Sequence, residues 1–423
     1  MRLKTWSTWL AFAVFIAAMA ALTAQSTQPR TAVTSKALLP AERVERIDRA
    51  LQRYVDENRI AGAVALVLRD GQPVYERAVG WSDKEAGRRM TTDTIFRIAS
   101  QTKAITSTAI LSLVEEGKLT LTDPVSRVIP QFAKTTVAAG GSIVPAKRAI
   151  TVRDLLTHTA GISYGNEPAI ATQYEAKGLG PAAGLGWYTA DKDEPVCTTI
   201  ERLATLPFVA QPGEQWVYGY NTDILGCVVE RASGMSLDAF VKARITEPLR
   251  MTDTQFFLPA AQRNRLAAVY ASGDDALIKR APDGPRGQGN YIDGPRRSFS
   301  GGAGLLSTAR DYARFLEMIR RGGELDGVRI LAPRTVKLMT TNQVGTLHST
   351  TGLGFGLGFE TTDRYGANGL DSEGAFGWGG AYGTVYRVDP EAKLVMLLMV
   401  QLLPNTTDIR TVFPTLVYQA IER

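Results

Sequence analysis

Apolar residues recur with helical and with strand periods near the start of the chain. After Pro40 they fall at spacings of three and four, which predicts an amphipathic helix; these residues are Val44, Ile47, Leu51 and Tyr54. A nearly continuous apolar run follows over residues 62–68, and a roughly alternating run covers residues 74–79. The turn signal Asp70-Gly71 between the two runs predicts a β-hairpin.

The C-terminal part of the chain carries a similar pattern. Residues 383–388 and 394–403 predict a second hairpin around Asp389-Pro390. The stretch 394–400 is apolar at every position, so we expect a central strand of a sheet with helices on both faces. An amphipathic segment over residues 408–421 predicts a last helix.

These segments predict an α/β (α+β) fold, in which an antiparallel sheet built from both chain ends is flanked by helices. Helical and loop sequence separates the two hairpins, so we expect an inserted, mostly helical subdomain. The predicted sheet domain comprises residues 40–100 and 300–423. The predicted helical subdomain comprises residues 101–299 and carries long loops at the active site.

Residues 1–24 are typical of a signal peptide. Arg2 and Lys4 precede an apolar run over residues 9–22, which is shorter than the roughly 20 residues of a membrane-spanning helix. Small residues suited to cleavage occur at Ala20 and Ala24. We expect an exported protein, periplasmic or extracellular, without stable membrane insertion after signal removal. A retained N-terminal anchor helix is the alternative.

Composition narrows the classes of function. Of the 423 residues, 44% are apolar and 21% are charged, which suits a packed core and excludes a disordered or fibrous chain. The net charge of +6 comes from scattered lysines and arginines, so nucleic acid is not an expected partner. With only His158 and His348 present, no metal site is predicted, and the base of an enzyme is not expected to be imidazole. Cys197 and Cys227 could pair after export or remain free buried thiols.

Ser100-Gln101-Thr102-Lys103 is the first candidate for chemistry. A long apolar helix is predicted directly after it, so we expect Ser100 at the helix N-terminus and Lys103 one turn later on the same face. The positive helix end and the apolar surroundings disfavour an ammonium ion, which predicts a lysine pKa below the usual value of about 10.4. Such a lysine could accept the serine proton. The alternative is an N-cap serine with a solvent-facing lysine.

Two further segments carry candidate groups. Residues 212–221 include Tyr218, Tyr220 and Asn221; a tyrosine beside a lysine can act as a base and then as an acid, and core packing is the alternative. Residues 376–381 include glycines in a strand, which indicate close approach by another group or a simple bulge. A substrate carbonyl that accepts from strand N–H groups is one such group.

In this order along the chain, these segments resemble the serine β-lactamase-like hydrolases of the class C β-lactamase and penicillin-binding-protein type. The family VIII carboxylesterases are the most similar branch. The resemblance extends over nearly all of the chain after the signal segment. It rests on residues 96–103, 150–161, 212–226 and 301–312 and on Trp378-Gly379-Gly380.

The resemblance implies roles for individual residues. Ser100 would be the nucleophile and Lys103 its activator. Tyr218 would share the base role and then deliver the proton to the leaving group. The backbone N–H groups of Ser100 and Ala381 would form the oxyanion hole.

The sequence departs from this family at two places expected to contact substrate. The asparagine expected two residues after the catalytic tyrosine is here Tyr220, with Asn221 one position later, and both remain candidates for substrate binding. The Lys-Thr-Gly strand of β-lactamases is here Trp378-Gly379-Gly380, which removes a cation for a β-lactam carboxylate. With the substrate bound beside Trp378, Gly379 and Gly380, both departures favour neutral esters over penicillins.

Three other patterns are interpreted as structural. Ser163 lies in a Gly-x-Ser-x-Gly pattern, but no buried parallel strand precedes it, so it is not expected to be a nucleophile. His158 is expected to be structural, with its ring satisfied by backbone groups. The alternating run over residues 352–359 predicts a strand rather than a nucleotide-binding loop.

We therefore expect an exported serine hydrolase, a carboxylesterase that cleaves small, short-acyl esters through an acyl-enzyme on Ser100, without cofactor or metal. A β-lactamase or D-amino-acid peptidase with the same Ser-Lys-Tyr residues is the first alternative. A β-lactam-binding or sensor protein that does not turn over is the second.

Overall fold

The computed structural model describes residues 39–179, 192–273, 277–284 and 287–421, so the predicted signal segment lies outside the described residues. The α-helices are α1 (Ala41–Asp56), α2 (Thr102–Glu115), α3 (Val152–Leu156), α4 (Ala171–Ala176), α5 (Val196–Leu203), α6 (Asn221–Ser233), α7 (Leu237–Val241), α8 (Ala309–Arg320), α9 (Pro333–Met339) and α10 (Ile409–Ala420). The strands are β1 (Gly62–Arg69), β2 (Gln72–Asp83), β3 (Arg88–Arg89), β4 (Phe96–Arg97), β5 (Thr136–Ala139), β6 (Ser142–Pro145), β7 (Pro207–Phe208), β8 (Tyr270–Ser272), β9 (Ile278–Arg280), β10 (Leu306–Ser307), β11 (Glu324–Leu325), β12 (Val328–Arg329), β13 (Leu353–Phe355), β14 (Glu360–Thr362), β15 (Phe376–Gly379), β16 (Val385–Asp389) and β17 (Leu394–Met399).

An eight-stranded sheet of order β13-β14-β15-β16-β17-β1-β2-β3 lies at the centre of the fold. Every neighbouring pair in it is antiparallel. Strand β17 pairs with β1 in the register Leu66↔Leu397, which joins the N-terminal and C-terminal hairpins. The predicted sheet built from both chain ends is confirmed.

Strand β17 is buried on both faces, as its continuous apolar sequence predicts. Its odd-numbered residues, such as Leu397, belong to the same apolar cluster as residues of α8. Its even-numbered residues, such as Leu398, belong to a second cluster with residues of α1 and α10. Because successive strand side chains point to opposite faces, one apolar run supplies two layers of core.

Helices α2–α7 and the short strands β5–β9 lie between β4 and β10 in the described chain. Helix α2 has buried residues on all sides, and a disulfide between Cys197 and Cys227 joins α5 to α6. The pairing that the sequence left open is therefore present. From Leu39 onward the chain forms one compact unit, so the division into a sheet domain and a helical subdomain stays a prediction. No helix within the described ranges is long and apolar enough to cross a membrane.

The strand predicted over residues 352–359 is wrong beyond Phe355. Gly358 has a φ of +100°, which bends the chain away from strand geometry. A side chain at this position would lie 2.4 Å from the Ser107 hydroxyl of α2. Close packing on a helix therefore overrides the alternating pattern here.

Candidate active site

Ser100 lies where the chain turns into helix α2. A short 3₁₀ turn, Ala99–Gln101, follows β4 and leads directly into the helix. Ala99 is fully buried and has a φ of +43°, a backbone conformation that costs a non-glycine residue about 1–3 kcal/mol. This strained residue turns the chain so that Ser100, which is half-buried, stands at the start of the helix.

Lys103 lies one helical turn after Ser100, on the same face, and is only 3% exposed. Its Nζ is 3.3 Å from Ser100 Oγ, 3.1 Å from the hydroxyl of Tyr164 and 2.8 Å from the carbonyl oxygen of Gly302. The alternative of a solvent-facing lysine is therefore wrong. The amine is held between two oxygen atoms and directed at the serine.

The carbonyl of Gly302 is fixed by Asp223 of α6. The Asp223 carboxylate accepts hydrogen bonds from the Ser300 hydroxyl at 2.6 Å and from the Gly302 N–H at 3.1 Å. A side chain on Gly302 would lie 2.4 Å from this carboxylate, so only glycine fits. The glycine-rich loop before β10 thus presents one carbonyl to Lys103.

Tyr218 and Trp378 stand beside the Ser100–Lys103 pair. The Trp378 indole N–H donates to the Tyr218 hydroxyl at 3.3 Å, and the Tyr218 ring centroid lies 4.6 Å from Lys103 Nζ. The ring of Tyr218 also packs on His158 at 4.9 Å. A cavity of about 360 Å³ opens here, lined by Ser100, Tyr218, Glu360, Trp378, Gly379, Gly380, Ala381, Val385, Arg387 and Arg410.

The end of β15 approaches the Ser100 turn closely. A side chain on Gly380 would lie 2.5 Å from the carbonyl oxygen of Ile98, so the glycine permits this contact. The next residue, Ala381, lines the cavity, and its N–H donates to no group among the described residues. The first N–H groups of a helix are also without helical acceptors. The predicted oxyanion donors thus border one cavity.

The structure turns Tyr220 and Asn221 into the core. The Tyr220 hydroxyl donates to the carbonyl of Leu179 at 3.2 Å. The Asn221 amide lies 2.9 Å from His158 Nδ1 and 3.1 Å from the carbonyl oxygen of Ile162. Both side chains are fully buried and neither lines the cavity, because they begin helix α6 on its packed side. A direct contact with substrate finds no support in this geometry.

His158 is buried, as a structural role requires, but its partner differs from the one expected. The amide of Asn221, rather than a backbone group, contacts its Nδ1. An amide N–H can only donate, so Nδ1 accepts and the ring is neutral. Burial lowers the pKa of His158 well below its usual value.

Ser163 and Tyr164 are neighbours with different surroundings. The Ser163 hydroxyl donates to the Glu167 carboxylate at 2.6 Å and is 2% exposed, which agrees with its structural interpretation. The Tyr164 hydroxyl contacts Lys103 and was missed at the sequence level. The Gly-x-Ser-x-Gly pattern draws attention to the serine, and nothing in the local spacing marks the tyrosine.

Charged groups on one side of the cavity were also missed. The Glu360 carboxylate lies 3.1 Å from His348 Nε2 and 3.4 Å from the Arg387 guanidinium. Arg410, in the first turn of α10, lines the same cavity. These residues lie on separate elements, so no sequence spacing could have grouped them. Among the described residues no cluster of three or more His, Cys, Asp or Glu side chains could hold a metal ion.

The fold and the cavity with its serine, lysine and tyrosine define a serine hydrolase. The chain belongs to the beta-lactamase family, whose model matches residues 47–415. It is 36% identical to esterase EstB of Burkholderia gladioli over 382 residues, 86% of this chain and 92% of that protein. It is 31% identical to lovastatin esterase of Penicillium rubens over 380 residues, 82% of this chain and 90% of that protein. Among solved structures it is similar to EstCE1, a hydrolase with promiscuous acyltransferase activity; the TM-score is 0.77 at 28% identity, over 90% of this chain and 97% of that chain.

Proposed function

We propose that this protein is an exported carboxylesterase that hydrolyses small, short-acyl esters through an acyl-enzyme on Ser100. The observation that carries the proposal is the 3.3 Å contact between Ser100 Oγ and Lys103 Nζ at a cavity that Tyr218 also lines. The names of two relatives, esterase EstB and lovastatin esterase, support an ester as the substrate class.

The contacts of Lys103 suit a base. A neutral amine has two hydrogens and one lone pair. The carbonyl of Gly302 can only accept, and the Tyr164 oxygen can accept the second hydrogen. The lone pair is then left for the Ser100 hydroxyl proton, and the serine oxygen attacks the ester carbonyl carbon.

The remaining steps use groups that border the same cavity. The N–H groups of Ser100 and Ala381 stabilise the oxyanion of the tetrahedral intermediate. When the intermediate collapses, the ester C–O bond breaks, Tyr218 delivers its proton to the leaving alcohol, and the proton that Lys103 took from Ser100 replaces it on Tyr218. Water then attacks the acyl carbonyl carbon and gives one proton to the base; the bond between the acyl carbon and Ser100 Oγ breaks, the acid leaves, and that proton returns to Ser100.

Export is part of the proposal. Residues 1–24 have signal-peptide composition, and the Cys197–Cys227 disulfide is a bond favoured outside reducing compartments. Sequencing of the N-terminus of protein recovered outside the cytoplasm tests it: we expect a start after Ala20 or Ala24. An intact N-terminus on cytoplasmic protein would contradict export and leave the reaction untouched.

The reaction is tested with two serine variants. Ser100→Ala should abolish turnover of p-nitrophenyl acetate and butyrate, whereas the matched control Ser163→Ala should keep it. Ester turnover that survives in Ser100→Ala would contradict the proposal. Nitrocefin measured in parallel separates the alternatives: dominant nitrocefin turnover indicates a β-lactamase, and a stoichiometric burst without turnover indicates a binding protein.

A further inference from the structure

A second cavity lies beside strand β4, the strand that leads into the Ser100 turn. No described residue lines both this cavity and the one at Ser100. Its volume is about 460 Å³, and we call it the arginine cavity. Four arginines and three aspartates are among its lining residues, namely Arg88, Arg97, Arg263, Arg280, Asp83, Asp283 and Asp293.

Three of the four arginines have a carboxylate partner in the wall of the cavity. The pairs and their N···O distances are Arg88–Asp83 at 3.6 Å, Arg280–Asp283 at 3.1 Å and Arg263–Asp293 at 2.6 Å. Arg97 is the fourth arginine, and it forms no ion pair with any described residue. The described wall of the arginine cavity therefore carries one positive charge in excess.

Arg97 is a buried cation that only neutral groups hold. It lines the cavity although it is only 3% exposed. Its Nε donates to the carbonyl oxygen of Gln288 at 2.7 Å, and its Nη1 donates to the carbonyl oxygen of Ala267 at 2.6 Å and to the side-chain oxygen of Gln401 at 3.3 Å. Its Nη2 donates to no group among the described residues. Since Nε and Nη1 are engaged, Nη2 is the donor left for a ligand in the cavity.

The charge of Arg97 is costly where it stands. A guanidinium stays protonated in proteins, and a buried charge destabilises the fold unless an opposite charge lies beside it. Burial lowers the pKa of Arg97, and the nearby positive charge of Arg280 acts in the same direction. The partner of Arg280, Asp283, has a side chain that is 84% exposed, so water competes for this pair. An anion in the cavity would offset both the lost hydration of Arg97 and its repulsion by Arg280.

We propose that the arginine cavity binds a tetrahedral oxyanion, phosphate or sulfate, either free or as the terminal group of a small molecule. Arg97 Nη2 and the Arg280 guanidinium supply charge-assisted hydrogen bonds to it. The side-chain amides of Asn264 and Asn290 also line the cavity and donate to no described residue. Donors from four side chains match the several oxygen atoms of a phosphate group better than the two of a carboxylate. The inference is independent of the proposed esterase function.

A bound anion would stabilise strand β4 in the folded protein. Arg97 pairs with Leu306 of β10, and its backbone N–H and carbonyl are both hydrogen-bonded by the side chain of Gln401. The cavity is therefore assembled from segments that are distant in the sequence, and the unfolded chain does not contain it. A ligand that binds only the folded state raises its stability in proportion to the logarithm of the ligand concentration once the site is nearly full.

Calorimetric titration of the intact protein tests the binding. Sodium phosphate, glycerol 1-phosphate and sodium acetate are titrated at equal ionic strength, which is set with sodium chloride. We expect saturable heat from phosphate with a Kd of about 1 mM or lower, because two or more charge-assisted hydrogen bonds form. Binding of glycerol 1-phosphate as well indicates the terminal group of a small molecule, whereas binding of phosphate alone indicates the free ion.

Variants locate the site. Arg280→Gln should raise the Kd for phosphate about 10-fold, the loss of one charge-assisted hydrogen bond. Arg97→Lys, which keeps the charge but loses the planar fork, should raise it as well. Arg49→Gln is the matched control, because it also removes an arginine with one exposed carboxylate partner, Glu45, and it should leave the Kd unchanged. In thermal unfolding, phosphate should raise the Tm of the wild type more than that of Arg280→Gln, whereas general exclusion of phosphate from protein surfaces raises both equally.

Three results would each overturn the inference. They are the absence of saturable heat from phosphate and glycerol 1-phosphate at about 10 mM, an equal phosphate Kd in the wild type and Arg280→Gln, and acetate binding as tight as that of phosphate. If Arg97→Lys does not fold, Arg280→Gln decides alone, because the side chain of Arg280 is partly exposed and its loss leaves the core intact. None of these results bears on ester turnover at Ser100, which is tested separately.

Discussion

At the scale of single residues, the proposed chemistry depends on how the amine of Lys103 is held. Its amine contacts Tyr164 and Gly302 as well as Ser100, so its orientation is fixed by groups that do not react themselves. Residues that fix a catalytic group in this way act through its geometry.

Replacing Tyr164 with phenylalanine tests this arrangement. Tyr164→Phe removes one of the two oxygen atoms that hold the amine, so we expect kcat for p-nitrophenyl acetate to fall about 10-fold with little change in KM. Tyr174→Phe is the matched control, because its hydroxyl contacts only the Pro207 carbonyl in the described structure. Equal kcat values for the two variants would contradict the positioning role.

The buried ring of His158 gives a pH-dependent stability. Its folded pKa lies well below 6.5, so below pH 6.5 the unfolded chain binds a proton that the native state does not. The free energy of unfolding therefore keeps its full value above pH 6.5. It decreases as the pH falls below 6.5, by up to about 1.4 kcal/mol per pH unit for one proton. His158→Asn, which tolerates the φ of +58°, should flatten this slope in denaturant unfolding between pH 6.5 and 5. Identical slopes would contradict the assignment.

Residues of the candidate active site could be predicted from the sequence only where the sequence signal is local. Ser100 and Lys103 lie three positions apart at a helix start, and Tyr218 follows a recognisable turn. Tyr164 lies 61 positions from Lys103, and Arg410 reaches the cavity from the last helix. Neither contact has a sequence pattern, because tertiary packing alone creates it.

At the scale of elements, the end of β15 must lie against the turn that carries Ser100. Gly380 makes this possible, since a side chain there would lie 2.2 Å from the Thr384 hydroxyl and 2.5 Å from the Ile98 carbonyl oxygen. The apolar patterns predicted the hairpins and α1, α2 and α10, because each of these elements buries apolar side chains. The strand predicted over residues 352–359 is wrong beyond Phe355, because packing against α2 decides the conformation there.

Gly380→Ala should therefore disturb both stability and catalysis. Overpacking of this kind costs about 1–3 kcal/mol of unfolding free energy, and it moves Ala381 away from Ser100, so kcat should fall at least 10-fold. Gly117→Ala is the control: its φ of +71° disfavours alanine, but open space surrounds it far from the cavity. For Gly117→Ala we expect a loss of stability without a change in kcat, measured by thermal unfolding and by ester hydrolysis. An unchanged kcat in Gly380→Ala would contradict the close approach of β15 to the Ser100 turn.

At the scale of the whole molecule, the two chain ends meet in one sheet and the disulfide closes a smaller loop. Cys197 and Cys227 are separated by 30 positions, and a loop of this size is stabilised by about 2–4 kcal/mol when cross-linked. The double variant Cys197→Ala/Cys227→Ala should lose this much unfolding free energy and keep its kcat at 25 °C. Two titratable thiols in the oxidised, denatured wild type would show that the bond is absent.

The joining of both ends could be predicted from the sequence because each end carries a hairpin with a buried apolar strand, and such strands need partners. The cavity could not be predicted as a whole, because its walls come from the Ser100 turn, the loop at Tyr218, the sheet edge around β14–β16 and α10. Motifs fix the reacting groups, and the tertiary fold fixes what surrounds them.

The most direct test of the central claim is to locate the nucleophile by mass spectrometry after reaction with diethyl p-nitrophenyl phosphate, which phosphorylates activated serines. Trypsin releases Ser100 in the peptide Ile98–Lys103 and Ser163 in the peptide Asp154–Lys177. We predict one diethylphosphoryl group per chain, on Ser100, and no label in Ser100→Ala. A label on Asp154–Lys177, or labelling that persists in Ser100→Ala, would contradict the assignment of Ser100 as the nucleophile.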